Sequence, residues 1–325
     1  MKKILNYFVY IIVYGTWYLA SLLPLCVLYL FSDFLYLLIA HVVKYRHKVI
    51  WKNLKNSFPE KSDTELKEIE HDFYRYFCDY LVETIKGMTM SEKQMRKRMT
   101  FSGTEQISEC WEKGQSCGVY LGHLGNYEWI TSLPFWVSDK GQCCQIYHPL
   151  ENEYFNKISV YVRERQGALC IPMAESLRRI VEFRKQGKPI VIGYIADQVP
   201  FWNNIHHWLN FLNQDTPVLT GSERLIKKTN QAAFYADVTR VSRGHYHCEM
   251  KLITTDASQY EDWQLTDIYF NLLEKTIRRN PGIYLWSHNR WKRSHEEFNI
   301  RYNPENGRVD LRDINIIKKE KGIEC

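Results

Sequence analysis

From Ile4 to Ser32 the chain carries no charged residue, and apolar positions continue past Asp33 as Phe34–Val43. A helix needs about 20 apolar residues to cross the hydrocarbon core of a bilayer. This run is therefore long enough to span a membrane or to lie deep within one. Gly15 and Pro24 are places where it can bend, and Asp33 is costly at a bilayer centre. A secretory signal has an apolar region of only about 7–15 residues and a small-residue cleavage site; this run is longer, and no such site follows. The pattern predicts a retained N-terminal anchor over residues 1–43 with the rest of the chain cytoplasmic. The alternative is a helical hairpin that rests on the membrane.

Beyond the anchor the pattern changes twice. Ser62 and Glu65 have the form of a capping box. After them Leu66, Ile69, Phe73, Phe77, Tyr80, Leu81, Thr84 and Ile85 recur at helical spacing, which predicts one long amphipathic helix ending near Gly87. Its tyrosines are read as core. Past the charged connection SEKQMRKRM, short runs rich in β-branched and aromatic residues appear: CGVYLGH, QCCQIYH, ALCIPM, PIVIGYIAD, QAAFYADVTRV, YHCEMKLI and GIYLWSH. Helical stretches separate several of them, at Asn152–Arg165, at Glu175–Gln186 with Gly187 to close it, and at Leu265–Arg279 before Asn280-Pro281. Strands alternating with helices predict an α/β fold, a mixed central sheet flanked by helices. The expected division is an anchor over 1–43, a catalytic domain over 44–305 and a polar C-terminal tail over 306–325.

Charge sharpens the membrane reading. The net charge is +6, and Lys44, Arg46, Lys48, Lys52 and Lys55 follow the apolar run directly. Basic residues beside a membrane segment favour the cytoplasmic side and anionic head groups. No nucleic-acid-binding module accompanies that charge. The nine cysteines form no C-x-x-C pair, and an odd number without such spacing fits a reducing compartment better than a disulfide framework or a zinc site.

The stretch Cys117–Ile130, CGVYLGHLGNYEWI, holds the candidate chemistry. His123 and Glu128 are five residues apart, which on a continuous helix would separate them by about 140°. A turn brings them together. Gly125 can adopt the positive φ of a tight turn, Asn126 is a favoured N-cap, and Glu128 then sits in the first helical turn. An imidazole and a carboxylate placed so form a base and its orienter, with no Ser or Cys nucleophile required. A structural hydrogen bond uses the same residues, and spacing alone leaves both readings open. The spacing is not H-E-x-x-H and no ligand cluster accompanies it, so no metal is expected.

HLGNYE resembles the H-x4-[DE] signature of glycerolipid and lipid A acyltransferases, and GHLGNYEW resembles the subgroup of late lipid A (lauroyl/myristoyl) acyltransferases. NSFPE (Asn56–Glu60), YVRERQGA (Tyr161–Ala168), IADQVP (Ile195–Pro200) and YLWSHNRWK (Tyr284–Lys292) agree with that family in order and approximate spacing. The resemblance covers nearly the whole chain. It implies transfer of a fatty acyl group from an acyl carrier protein or coenzyme A thioester to a hydroxyl of a lipid A precursor, at the cytoplasmic face of the inner membrane. The thioester is a co-substrate and no cofactor is implied. His123 would be the general base and Glu128 its orienter. Backbone N–H groups near Asn126 and an arginine of the RER run would face the oxyanion. The family alignment favours Arg163, while the apolar stripe of the helix places Arg165 nearer its centre, so Arg165 is the rival. Asp197 would pair with the arginine or hold the acceptor, with Gln198 and Asn126 in support. Arg290, Trp291 and Lys292 would bind a phosphate or pantetheine arm, or serve packing alone.

One stretch departs from the family. FWNNIHHWLNFLNQ, after IADQVP, is longer and more aromatic than expected and reads as a membrane-facing loop or acyl-chain contact, with core packing as the alternative. The acceptor also has rivals. A lysophospholipid or an aminolipid would use the same chemistry, and a non-catalytic membrane scaffold would use the fold alone.

Overall fold

The apolar start of the chain forms two helices, α1 (Lys2–Leu22) and α2 (Leu25–Tyr36). The computed structural model describes residues 2–323, so the first residue of the expected anchor and the last two of the expected tail, Cys325 included, lie outside the described residues. Pro24 separates the helices because it lacks an N–H and fixes its own φ; Gly15 lies inside α1 without ending it. A π-helical stretch, Leu37–Val42, continues α2. The span Leu25–Val42 is long and apolar enough to cross a membrane.

Helices α3 (His47–Ser57), α4 (Asp63–Gly87) and α5 (Glu92–Arg98) follow. Helix α4 begins at the expected capping box: Ser62 Oγ accepts from the Glu65 N–H, and the Glu65 carboxylate accepts from the Ser62 N–H. Helix α2 packs along α4. Leu25, Leu28 and Tyr36 bury one stripe of it, each aliphatic side chain contributing about 1.5–3 kcal/mol when fully buried. Leu30, Phe31, Phe34, Leu37 and Val42 face outward. Asp33 is not left alone on this apolar helix, because Arg75 and Arg243 both pair with it.

The remaining elements alternate. They are β1 (Met99–Ser102), α6 (Thr104–Glu112), β2 (Cys117–Leu121), β3 (Gln142–Tyr147), α7 (Glu153–Glu164), β4 (Leu169–Pro172), α8 (Ser176–Lys185) and β5 (Ile190–Ile195). Then come β6 (Trp208–Phe211), β7 (Gln214–Pro217), α9 (Gly221–Lys228), β8 (Ala232–Ser242), β9 (His245–Thr254) and α10 (Gln264–Arg279). The chain closes with α11 (His295–Arg301), β10 (Tyr302–Asn303), β11 (Arg308–Val309) and α12 (Ile314–Glu320), whose Ile317 is buried.

Seven strands form one sheet in the order β1-β9-β8-β2-β5-β3-β4. The five strands from β8 to β4 are parallel to their neighbours, while β9 runs antiparallel to β8 and pairs in parallel with β1. The fold is the expected mixed α/β sheet with flanking helices. Strand β2 is buried along its whole length, which is why its sequence reads as a continuous apolar run and not as an alternation.

Two expected elements differ. GIYLWSH is not a strand of the sheet. Pro281–Ile283 forms a 3-10 turn, Tyr284 makes a single bridge to Leu124, and the Leu285 N–H donates to the His123 carbonyl. This segment braces the turn after β2 and does not extend the sheet. The aromatic stretch after Pro200 is divided between its two expectations: Ile205, Phe211 and Leu212 are buried, whereas Phe201 is exposed and, with Asn204, lines the cavity described below. The stretch folds into the β6–β7 hairpin, with Leu212 and Asn213 both at positive φ in the two-residue turn. Phe211 and Leu212 are fully buried, and the Leu212 N–H donates to Glu274.

Candidate active site

Strands β2 and β5 are adjacent and parallel, with Leu121 opposite Ile195. Two residues beyond each partner stand His123 and Asp197, so the register itself sets them side by side at the carboxyl ends of the strands, where α/β sheets bind ligands. Asp197 takes His123 at two points. Its Oδ1 lies 2.7 Å from the ring Nδ1, and its Oδ2 accepts from the His123 backbone N–H at 3.0 Å. The carboxylate is 2% exposed and the imidazole 16%.

Burial disfavours the charged imidazole, but the Asp197 charge and hydrogen bond outweigh it, with help from Glu128, so the His123 pKa is raised. Burial likewise opposes the Asp197 anion; the His123 charge and two hydrogen bonds, with Arg290 beyond, hold its pKa below the usual value. Asp197 can only accept, which puts the ring proton on Nδ1 and leaves the Nε2 lone pair free. The Gln198 amide approaches Nε2 at 3.2 Å.

The carboxylate that meets His123 is therefore Asp197 and not Glu128. Glu128 lies one residue into a 3-10 helix, Tyr127–Phe135. Its two oxygens accept from Arg163 Nε and Nη2 at 2.8 and 2.7 Å, a bidentate pair of the stronger class. The edge-on ring of Tyr127 packs against His123. Arg163 projects from α7 into the site; Arg165, its rival, is exposed and donates to the Met88 carbonyl. Two positions apart on one helix, they point to different sides, and only Arg163 reaches the cavity.

Asn126 takes the expected N-cap position but does not face the cavity. It is the N-cap of the 3-10 helix, its Oδ1 accepting from the Trp129 N–H, but the side chain is fully buried and its Nδ2 donates to Glu83. It supports the turn and does not line the cavity. Gly125 has φ +53°, and a Cβ there would lie 3.0 Å from Val238 and 3.2 Å from Tyr246. The turn thus needs glycine for conformation and for room. Arg290 is fully buried, donates Nη2 to the Pro217 carbonyl and packs over Phe270. Trp291 donates to Thr216. Both bond to β7 of the β6–β7 hairpin. Among the described residues no cluster of three or more His, Cys, Asp or Glu side chains could hold a metal.

His123, Glu128, Arg163 and Gln198 open onto a cavity of ≈ 580 Å³. Its walls are mainly apolar: Val119, Leu121 and Val191 from the sheet, Ile130 and Leu133 from the 3-10 helix, and Ala168 before β4. The volume lies within the roughly 300–1,000 Å³ of small-molecule sites, which pair apolar walls with a few placed polar groups. Leu150, Met173 and Phe201 line the cavity and are also exposed, so its mouth is apolar as well.

An imidazole held by a buried carboxylate beside a mainly apolar cavity is an arrangement suited to an enzyme that acts on a polar group carrying a hydrocarbon chain. The chain belongs to the bacterial lipid A biosynthesis acyltransferases, whose family description matches residues 2–293. It is 24% identical over 255 residues to the lipid A biosynthesis palmitoleoyltransferase of Escherichia coli (strain K12), covering 77% of this chain and 80% of that one. The lipid A biosynthesis acyltransferase of Shigella flexneri gives the same figures. The Escherichia coli (strain K12) lipid A biosynthesis lauroyltransferase is 22% identical over 291 residues, 89% of this chain and 92% of that one.

Proposed function

We propose that this acyltransferase moves a fatty acyl group from a thioester of acyl carrier protein or coenzyme A to a hydroxyl of a lipid A precursor, with His123 as the general base. The observation that carries the reading is the His123–Asp197 pair, its Nε2 turned to an apolar cavity of ≈ 580 Å³ that suits an acyl chain. The acceptor hydroxyl takes the place of the Gln198 amide at Nε2 and gives its proton to the ring. Its oxygen attacks the thioester carbonyl carbon. A C–O bond forms and the carbonyl oxygen carries the negative charge. Arg163 lines the cavity, and its Nη1, the guanidinium nitrogen that Glu128 does not use, is the donor this reading assigns to that oxyanion. Collapse of the intermediate breaks the C–S bond, and the thiolate leaves with the proton held by His123.

The basic residues after α2 and the outward apolar face of α1 and α2 support attachment to a membrane, with the catalytic body on the cytoplasmic side of the inner membrane. The test is acyl transfer by purified enzyme from both thioesters, with His123→Ala as control, and lipid mass spectrometry of a deletion strain. Full activity in His123→Ala refutes the mechanism. A chain missing from a phospholipid or aminolipid, with lipid A intact, refutes the acceptor.

A further inference from the structure

Helix α4 grips the turn after β2 with three side chains. Tyr76, Tyr80 and Glu83 are four and three residues apart, which aligns them on one helix face. The Tyr76 hydroxyl donates to the Gly125 carbonyl at 2.7 Å, and the Tyr80 hydroxyl donates to that of Tyr127 at 2.7 Å. Glu83 Oε2 accepts from Asn126 Nδ2 at 2.8 Å. Residues 125, 126 and 127 are each tied to α4 in this way.

Glu83 is the unusual member. It is fully buried and makes no salt bridge to a described residue; neutral donors hold it instead. Tyr246 donates to the same oxygen as Asn126, at 3.0 Å, and Tyr29 of α2 donates to Oε1 at 2.9 Å. Burial of a carboxylate without a cation at hand is heavily penalised. It pushes the Glu83 pKa up to about 7 against the hydrogen bonds that Asn126 and Tyr29 donate, and Asp79 adds to the rise while Arg240 opposes it.

The Glu83 oxygen that accepts from Asn126 has one specific effect. It fixes which way the Asn126 amide faces. With Nδ2 committed to Glu83, Oδ1 is left to meet the Trp129 N–H and cap the 3-10 helix that carries Glu128. We infer that Glu83 is a positioning residue of the acyl-transfer site: it sets the Asn126 cap and, through that cap, the placement of Glu128 with Arg163 and of the turn that carries His123. The inference rests on the reading of this turn as the catalytic one. Glu83 itself does not line the cavity.

The role predicts an effect on turnover apart from binding. Glu83→Ala should lower kcat at least 100-fold while KM for the thioester moves less than threefold. Glu83→Gln should restore kcat to within tenfold of wild type, because its amide oxygen still accepts from Asn126 and Tyr246 while its NH2 donates to the Tyr29 hydroxyl. Asp79→Asn is the stability control. Asp79 lies one turn earlier on α4, is buried, bonds Ser32, Arg240 and Arg243, and touches no part of the turn. It should lower Tm and leave kcat of the folded enzyme unchanged. Three results overturn the inference: kcat within threefold of wild type in Glu83→Ala, no recovery in Glu83→Gln, or an equal kcat loss in Asp79→Asn. His123→Ala assayed beside them separates two failures. Activity kept by His123→Ala overturns the site and the inference together, whereas activity lost by His123→Ala but kept by Glu83→Ala overturns the inference alone.

Discussion

Asp197→Asn isolates the charge on the partner of His123 with almost no change of shape. The His123 backbone N–H must still meet an acceptor, so the asparagine oxygen is committed to the position Oδ2 holds now, 3.0 Å away. The new NH2 then faces Nδ1, where a proton is held at present. The ring must give up that proton, carry its hydrogen on Nε2 instead, and lose the lone pair that serves as base. Loss of the charged hydrogen bond alone removes about 1.5–3 kcal/mol, which is roughly 10- to 160-fold in rate. The tautomer error raises the expected loss toward about 10⁴-fold, as in the Ser-His-Asp arrangement. The expected fall in kcat is thus between about 10²- and 10⁴-fold. It is measured as initial rates of radiolabelled acyl transfer in detergent micelles, with circular dichroism to check folding. The pH profile should move as well. The Asp197 carboxylate holds the His123 pKa above its usual ~6.5, and the neutral ring is the working form. The acid limb of wild-type kcat/KM should lie above that value and shift to lower pH in the variant. A folded Asp197→Asn enzyme with kcat within threefold of wild type and an unmoved limb would refute the pairing as a catalytic device.

The same pair predicts a pH window for stability. The depressed Asp197 pKa gives a contribution that is present above the unfolded carboxylate value near ~3.9 and lost as pH falls through the folded pKa; the raised His123 pKa gives one that is complete below ~6.5 and lost as pH rises through the folded pKa. Urea denaturation should therefore show the largest deficit of Asp197→Asn between about pH 4 and 6.5. Glu128→Ala and Arg163→Ala should each destabilise by on the order of 3 kcal/mol, since each leaves a partly buried charge unpaired. Their double mutant should recover part of that sum, and strict additivity would show the pair to be uncoupled. Ala168→Leu places extra carbons in the cavity wall. At about 0.8 kcal/mol per buried methylene, losing room for two of them should shift donor preference toward shorter chains more than tenfold, read from competing thioesters; an unchanged preference would place the acyl chain elsewhere.

The elements of the site were legible in the sequence where the signal is local, and illegible where the sheet decides. His123, the turn at Gly125 and the cap at Asn126 all follow from a strand running into a helix within ten residues. The choice of partner does not. Spacing put Glu128 beside His123, yet the register of β2 with β5 delivers Asp197 from 74 residues away, and α7 delivers Arg163 to Glu128 from 35 residues away. Tyr76, Tyr80 and Glu83 were hidden for another reason. Their spacing matches a core stripe, and a tyrosine hydroxyl that grips a loop leaves no mark that a buried ring does not. The β6–β7 hairpin was obscured by its turn, because Leu212 at positive φ replaces the Gly or Asn that normally announces such a loop.

The apolar N-terminal helices are also structural partners of α4. Tyr29 and Ser32 of α2 bond Glu83 and Asp79, Lys86 donates to the Ser21 and Leu23 carbonyls, and Trp17 of α1 donates to the Ile85 carbonyl. Removing residues 1–43 would deprive α4 of these partners and expose the stripe that Leu25 and Leu28 cover. A fragment starting after Val43 would thus lack one wall of its own interior, and efforts to express this enzyme should keep α1 and α2.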